Sequence, residues 1–272
     1  MFKLKSWSGI KKLTIFVLIT WVVLAILFGF FDLAISISVV DQASVWGQFG
    51  ADYGETPGYA LIAVALGTLL GSLFTNLKLQ KIPAYVGIIV GILFIVLIGD
   101  KSFTKTGWSL IISLTILVIL TWNKDWKNNR KIAGVIALLA VINPLLFVQI
   151  TKILAGRIRF RDLALGYTNF TPWFLPPGVS AGGSSFPSGH AAMSFMFIPL
   201  LIPISEMLVE NRSKKILSII LMIIVIGWAL FVAASRVVVG AHYASDVLFS
   251  GGMACIITIL LYKWIYRTKD SE

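Results

Sequence analysis

Charge is scarce in this chain. Only 13% of its 272 residues are Asp, Glu, Lys or Arg, against roughly a quarter in an ordinary globular protein. That leaves too little material for a solvated surface. With 58% apolar residues and a mean hydropathy of +0.91, the composition is that of an integral membrane protein. A single cysteine, Cys255, excludes an intrachain disulfide framework and a cysteine zinc cluster. There are two histidines, no paired carboxylates and no His at ligand spacing, so no metal and no cofactor is expected. Acid is scarcer than base, 12 residues against 23, for a net charge of +11. Such an excess can mark a nucleic-acid partner, so its position along the chain decides what it means.

What the chain has instead is long apolar runs. A spanning helix needs about 20 mostly apolar residues. Eight segments qualify or nearly do, at about 13–31, 58–76, 83–99, 108–122, 132–154, 190–209, 216–237 and 243–264. Helices satisfy their own backbone groups in lipid, so the expected class is all-α, a polytopic bundle of about eight transmembrane helices. The first run follows Lys11 and Lys12 but is too long for a signal-peptide core, and no small-x-small cleavage site follows it cleanly. It reads as a retained anchor. The whole chain, 1–272, is expected to form one transmembrane domain. Residues 1–107 supply N-terminal helices and an outer loop, and 108–272 supply the functional core.

The basic residues orient the bundle. With the N-terminus in the cytoplasm, sixteen of the 23 fall in cytoplasmic segments: Lys3, Lys5, Lys11, Lys12, Lys78, Lys81, Lys124, Lys127, Arg130, Lys131, Arg212, Lys214, Lys215, Lys263, Arg267 and Lys269. Only Asp125, Glu206, Glu210, Asp270 and Glu272 accompany them, so the whole net charge sits on that face and the outer face sums to zero. The basic excess is a topology signal and not a nucleic-acid footprint. Both termini are expected in the cytoplasm. Two outer loops stand out by length. The first, about 32–57, carries Asp32, Asp41, Asp52 and Glu55 with no basic residue and reads as a solvated cap. The second, about 155–189, is rich in Gly, Pro and Ser. Asn143-Pro144 should kink the fifth helix, and Gly67-xxx-Gly71 and Gly87-xxx-Gly91 would let neighbouring helices approach closely.

Five of the seven outer basic residues gather at the ends of the fifth and seventh helices, in or beside three polar stretches. These are Lys152–Phe160, Phe186-Pro187-Ser188-Gly189-His190, and Ser235–Asp246, and both histidines lie in them. Ionisable groups near membrane depth are costly and mark function by default. His242 and Asp246 are four apart and share a helical face, so the carboxylate can orient the imidazole and raise the basicity of its other nitrogen. That is how a nucleophile or base is made. Ser188, Gly189 and His190 open a helix whose free N–H groups suit an anion, and Gly189 permits close approach of a ligand. Lys152, Arg159 and Arg236 add three cations. A trigonal, negatively charged group ringed by donors is what phosphoryl transfer requires.

These stretches resemble the pattern of the type-2 phosphatidic acid phosphatase family of membrane lipid phosphatases, which is related to the vanadium haloperoxidases. The pattern is Lys-x6-Arg-Pro, then Pro-Ser-Gly-His, then Ser-Arg-x5-His-x3-Asp. The second and third are complete, at Pro187–His190 and Ser235–Asp246; the first is Lys152-x6-Arg159 with Phe160 in place of proline. That departure leaves the choice between Arg157 and Arg159 to the local backbone. The resemblance covers 152–246 and implies His242 as the nucleophile that forms a phosphohistidine, with Asp246 orienting it. It implies His190 as the group that protonates the leaving lipid oxygen and then activates water. Lys152, Arg159, Ser188, Gly189 and Arg236 would hold the phosphoryl oxygens. The family core has six spanning helices, so the first three helices here would be that core's first helix plus additions.

The function expected is hydrolysis of a phosphate monoester or diphosphate of a lipid. The substrate would be a lipid phosphate or polyprenyl diphosphate met at the extracytoplasmic face of a bacterial cytoplasmic membrane. A lipid phosphotransferase with an acceptor other than water would use the same residues. An anion transporter is a further alternative, but it would place its charges at mid-membrane depth in repeated halves. Arg161 and Lys101 read as snorkelling anchors. Trp173, Phe174, Pro176 and Pro177 suit an acyl-chain guide or an interfacial belt equally.

Overall fold

The computed structural model describes residues 7–210 and 212–267. Lys3, Lys5, Lys269, Asp270 and Glu272, counted above for orientation, lie outside the described residues. Every regular element among the described residues is helical. The longer helices are α1 (Trp7–Val39), α2 (Val45–Tyr53), α3 (Thr56–Gly71), α4 (Ile82–Leu93), α5 (Lys101–Leu120) and α6 (Arg130–Ala140), followed by α7 (Val148–Ala155), α8 (Gly189–Ser194), α9 (Leu201–Glu210), α10 (Lys215–Val238) and α11 (Ala244–Arg267). A π-helical segment, Val141–Phe147, joins α6 to α7, and a 3-10 segment, Phe195–Leu200, joins α8 to α9. Seven continuous helices are long and apolar enough to cross a membrane: Gly9–Val39, Leu79–Ile98, Lys101–Leu120, Trp126–Asp162, Gly189–Val209, Lys215–Val238 and Ala244–Tyr266. The chain is a multi-pass membrane protein.

Two expectations need correction. The segment expected at 58–76 is the 16-residue helix α3, shorter than the other spans; Ser72 closes it and the chain turns through Asn76 toward α4. The stretch 32–57 is not a solvated cap. α1 continues through Asp32 to Val39, and α2 fills most of the remainder. A hydropathy reading stops at Asp32 because the residue is charged. The helix does not, because Asp32 is fully buried and hydrogen-bonded. The kink expected at Asn143-Pro144 is the π segment, with Asn143 buried and its Nδ2 donating to the Ser250 carbonyl at 3.3 Å.

The chain divides into two compact units, one built from the residues up to Gly54 with Val141–Leu260, the other from Glu55–Ala140 with the residues from Leu261 onward. In the second unit α3, α4 and α5 pack through small residues. A Cβ on Gly91 would lie 2.8 Å from the Gly107 carbonyl, and one on Gly87 would strike Leu114. The turn before α4 meets the turn before α6: Gln80 Nε2 donates to Asp125 at 2.7 Å, Gln80 Oε1 accepts from the Trp126 N–H at 2.8 Å, and buried Lys81 donates to the Lys124 carbonyl at 3.0 Å. Two bonds to backbone and side-chain donors hold the Asp125 carboxyl below the usual carboxylate range, the Lys127 N–H first and the Gln80 amide second.

In the first unit, α2 lies on α10 through a stripe of glycines. A Cβ on Gly50 would occupy the place of the Ser235 side chain, and one on Gly54 would sit 2.6 Å from Val232. On α11, Gly252 faces Trp21 of α1 and Gly251 faces Phe195. The end of α1, α2, the end of α7, the start of α8 and the α10–α11 turn come together in this unit.

Candidate active site

Backbone hydrogen bonds stitch the three motif stretches together. Gly156, in a left-handed conformation (φ 56°), ends α7 by donating to the Lys152 carbonyl. The chain then runs extended beside the 183–185 segment: the Gly183 N–H donates to Gly156 O at 3.1 Å and the Ser185 N–H to Arg157 O at 2.8 Å. The Arg161 N–H donates to Gly240 O at 3.1 Å, and the Ser188 N–H to Asp246 O at 3.1 Å. Ser250 Oγ donates to Ser188 O at 2.7 Å. One frame therefore carries residues 156–161, 183–190 and 236–250.

His242 sits in the short turn between α10 and α11, which is wound around the Arg236 carbonyl; the Ala241 and His242 N–H groups both donate to it, at 3.1 and 3.2 Å. The left-handed φ of Gly240, 68°, makes that turn possible. The imidazole is 2% exposed. Its Nδ1 is 2.6 Å from the Ser185 carbonyl and 3.6 Å from Asp246 Oδ2. A carbonyl only accepts, so Nδ1 carries the proton and Nε2 keeps the lone pair. The short hydrogen bond that fixes the tautomer goes to the Ser185 carbonyl, and Asp246 stands beside the same nitrogen as a charged neighbour at 3.6 Å. Burial pushes the His242 imidazole down to about 4, against the upward pull of Asp246, with Arg236 and Lys152 adding to the depression. The ring is neutral at pH 7.

Asp246 has other partners. Its Oδ2 accepts from Ser185 Oγ at 2.5 Å and from the Tyr243 N–H at 2.9 Å. Its Oδ1 accepts from Arg157 Nη1 at 2.6 Å. Arg157 is fully buried, and every nitrogen of its guanidinium is used. Nη1 also reaches Ser245 Oγ at 2.8 Å, Nε donates to the Thr171 carbonyl at 2.9 Å, and Nη2 donates to Asp32 at 2.9 Å. Its face lies 4.0 Å from the Tyr243 ring centroid.

Arg159, two residues on, has a different environment. It is half-buried, and its Nε is enclosed without a hydrogen-bond partner. Its backbone is extended (φ −71°, ψ 151°), the conformation a following proline imposes. Phe160 reaches the same backbone by stacking on Tyr167, centroids 5.5 Å apart, and meeting Tyr243 edge-on. Lys152 is half-buried in the last turn of α7 and lines a cleft of about 380 Å³ with Gln149, Ile153, Val179 and the 182–184 segment. Arg236, 7% exposed, ends α10. Ser188 caps α8 by accepting from the Ala191 N–H at 3.3 Å, and half-buried Gly189 is that helix's first residue. His190 is half-buried, with Nε2 2.9 Å from the Ala51 carbonyl in α2.

Charge places Lys152, Arg236 and Asp246 around His242, and Ser188 joins them through the backbone of Asp246. His190 and Arg159 are placed by other partners, on α2 and on the 160–167 segment. Sequence reasoning missed Asp32, Ser185, Ser245 and the Ala51 carbonyl. Asp32 had a usable signal, since an acid inside an apolar helix needs a partner; a backbone carbonyl has none. Arg161 pairs loosely with its neighbour Asp162 at 3.9 Å, as an exposed anchor does. Trp173 donates from Nε1 to the Ala25 carbonyl of α1 at 2.8 Å and packs its ring on Phe249. A second, largely apolar cavity of about 430 Å³ runs between α1, α10 and α11, from Phe28 and Ala244 down to Phe16 and Cys255.

These helices define a multi-pass membrane protein that gathers the charges of Lys152, Arg236 and Asp246 about a buried histidine. The chain belongs to the PAP2 superfamily, whose pattern matches residues 133–270, half of the chain and all three motifs. It is similar to phosphatidylglycerophosphatase B of Haemophilus influenzae, 27% identical over 233 residues that cover 85% of each chain. It is also similar to lipid A 4'-phosphatase of Francisella tularensis subsp. novicida, 30% identical over 171 residues, 60% of this chain and 71% of that one. No solved structure matches it.

Proposed function

We propose that this PAP2-family lipid phosphatase removes a terminal phosphate, as a monoester or diphosphate, from a membrane lipid through a covalent phosphohistidine on His242. The observation that carries the reading is the state of His242: buried, neutral, its Nδ1–H held by the Ser185 carbonyl, and flanked by the charges of Lys152 and Arg236. Nε2 is then the nucleophile. It forms the N–P bond as the P–O bond to the lipid breaks. Arg159, Lys152, Arg236, Ser188 and the Gly189 N–H would hold the phosphoryl oxygens, and the enclosed, unsatisfied Arg159 Nε fits such a ligand. His190 donates Nε2–H to the Ala51 carbonyl, which leaves Nδ1 as the position that gives a proton to the leaving oxygen and takes one from water in the second step. Asp246 stabilises the cationic ring of the phosphohistidine.

Both relatives are named as phosphatases of membrane lipids, which supports a lipid phosphate as substrate. We place the site at the extracytoplasmic face of a cytoplasmic membrane, with both termini inside, on the strength of the basic residues in alternate loops. Residues 108–272 would form the phosphatase core of a single membrane domain.

The test is phosphate release by the detergent-purified protein from a panel of lipid phosphates and polyprenyl diphosphates, with and without EDTA, beside His242→Ala. Chelator-resistant release that the folded variant lacks is expected. Near-wild-type release by the variant would remove His242 as nucleophile. No release from any lipid, recovered when a hydroxyl acceptor is added, would make the enzyme a phosphotransferase.

A further inference from the structure

α1 lies outside the family match, yet it delivers one charged side chain into the interior of the site. Asp32 is fully buried. Its Oδ1 accepts from the Ser245 N–H at 2.9 Å, and its Oδ2 accepts from Arg157 Nη2 at 2.9 Å and from Ser245 Oγ. Arg157 is thus clamped between two carboxylates, Asp32 on Nη2 and Asp246 on Nη1, with the ring of Tyr243 over its face. Nothing in the three motifs calls for Asp32, and the proposed chemistry above does not use it.

The arithmetic of charge gives it a task. Away from water, a fixed charge is screened less than in solvent, and a guanidinium bound to one carboxylate offsets it. Arg157 with Asp246 alone would sum to zero beside His242. With Asp32 the group sums to minus one. We infer that Asp32 is a positioning residue which takes up the charge of Arg157, so that Asp246 remains an effective anion beside His242 while Arg157 fixes its place. Asp32 touches neither the phosphate nor His242. It acts through Arg157, and the inference rests on His242 being the nucleophile. The other charges facing His242 are Arg236 from α10 and Lys152 from α7, both cationic. A net anion behind the ring therefore matters more here than in an otherwise neutral pocket, because the phosphohistidine ring must carry positive charge between those two cations.

The test is the variant Asp32→Asn, which keeps size and shape, against the double variant Asp32→Asn/Arg157→Gln, which restores the sum to minus one. Both are measured on the full-length protein in detergent with the best lipid phosphate of the panel. Rates are counted per active site by the burst of phosphoenzyme formed in a single turnover. For Asp32→Asn, kcat should fall about tenfold with KM held within about twofold, since only the charged intermediate and the transition state before it are affected. In the double variant kcat should return to within about threefold of wild type. A merely structural Asp32 predicts the opposite order, because the double variant has lost more bonds. Wild-type kcat in Asp32→Asn, or a folded double variant no better than the single, would overturn the inference. If Asp32→Asn cannot be purified folded, the double variant alone decides: turnover supports the role, and a folded but inactive protein ends it. His242→Ala is run in parallel. Turnover by that variant would sink the nucleophile assignment, and with it the premise, and is distinguishable from a failure of Asp32 alone.

Discussion

Two arginines separated by one residue divide the work of the first motif. Arg157 has four side-chain hydrogen bonds and no exposure, and it serves as the counter-ion that holds two carboxylates inside the bundle. Arg159 is half-buried, and its enclosed Nε has no hydrogen-bond partner. Arg157→Ala should therefore act on stability. It leaves Asp32 and Asp246 buried without a cation, a loss of about 3–5 kcal/mol, readable as a large drop in melting temperature in detergent. Arg159→Ala should melt close to wild type while kcat/KM falls by about 10²–10³, the scale for losing one preorganised donor to a developing anion. The reverse pattern would move the phosphate contact to Arg157. The spacing Lys-x6-Arg already pointed to Arg159, but two candidates stood in the sequence. What separates them is their surroundings in space: Arg157 is buried among Asp32, Ser245 and Asp246, while Arg159 is half-buried with its Nε unbonded.

Among the elements, α2 carries more of the site than its nine residues suggest. Ser44 caps it by accepting from the Gly47 N–H at 3.3 Å, its glycine face lies on α10, and its Ala51 carbonyl holds His190. The helix was hidden in the sequence because glycines, Gln48 and Asp52 give no hydropathy signal. Close packing on α10 needs small residues rather than apolar ones. Gly50→Val places a branched side chain where Ser235 sits, an overpacking cost of about 1–3 kcal/mol that displaces the Ala51 carbonyl from His190. Turnover should fall about tenfold or more, because the acid loses its orientation. Gly227→Ala on α10, with no atom within 4 Å of a new Cβ, should leave turnover unchanged. Equal rates in the two variants would mean that α2 does not position His190. The same logic explains the glycine pairs of α3 and α4, where a backbone approach written as Gly-xxx-Gly is found as Gly91 against Gly107.

For the whole molecule, the proposal that can be tested is its orientation in the membrane. The topology proposed from the basic residues puts the turns carrying Lys78, Lys81, Lys124 and Lys127 in the cytoplasm and the 160–184 segment outside. Cys255 is the chain's only thiol, so a Cys255→Ser background permits single-cysteine mapping. Asn169→Cys should react with a membrane-impermeant maleimide in intact cells, and Asn128→Cys only after permeabilisation. The inverse labelling would turn the protein over and put its site in the cytoplasm. The described residues contain seven helices of full spanning length and the shorter α3. α3 starts beside α5, where Ser109 Oγ donates to the Thr56 carbonyl at 3.1 Å, and ends against Trp126. It thus runs from one end of its unit to the other despite its length.

The sequence alone determined the class, because a chain this poor in charge has to satisfy its backbone within helices. It also delivered the family and the short list of polar residues. In an apolar chain the few costly residues stand out, and their spacings are fixed by local helix and turn geometry. Only the tertiary structure decided how those residues are employed. It assigned the hydrogen bond on His242 Nδ1 to a backbone carbonyl, which no residue type encodes. It also brought Asp32 from 125 residues away to the far side of Arg157. Charges in a buried site are set by whatever comes within a few ångströms in space, and that is decided by the packing of helices distant in the chain.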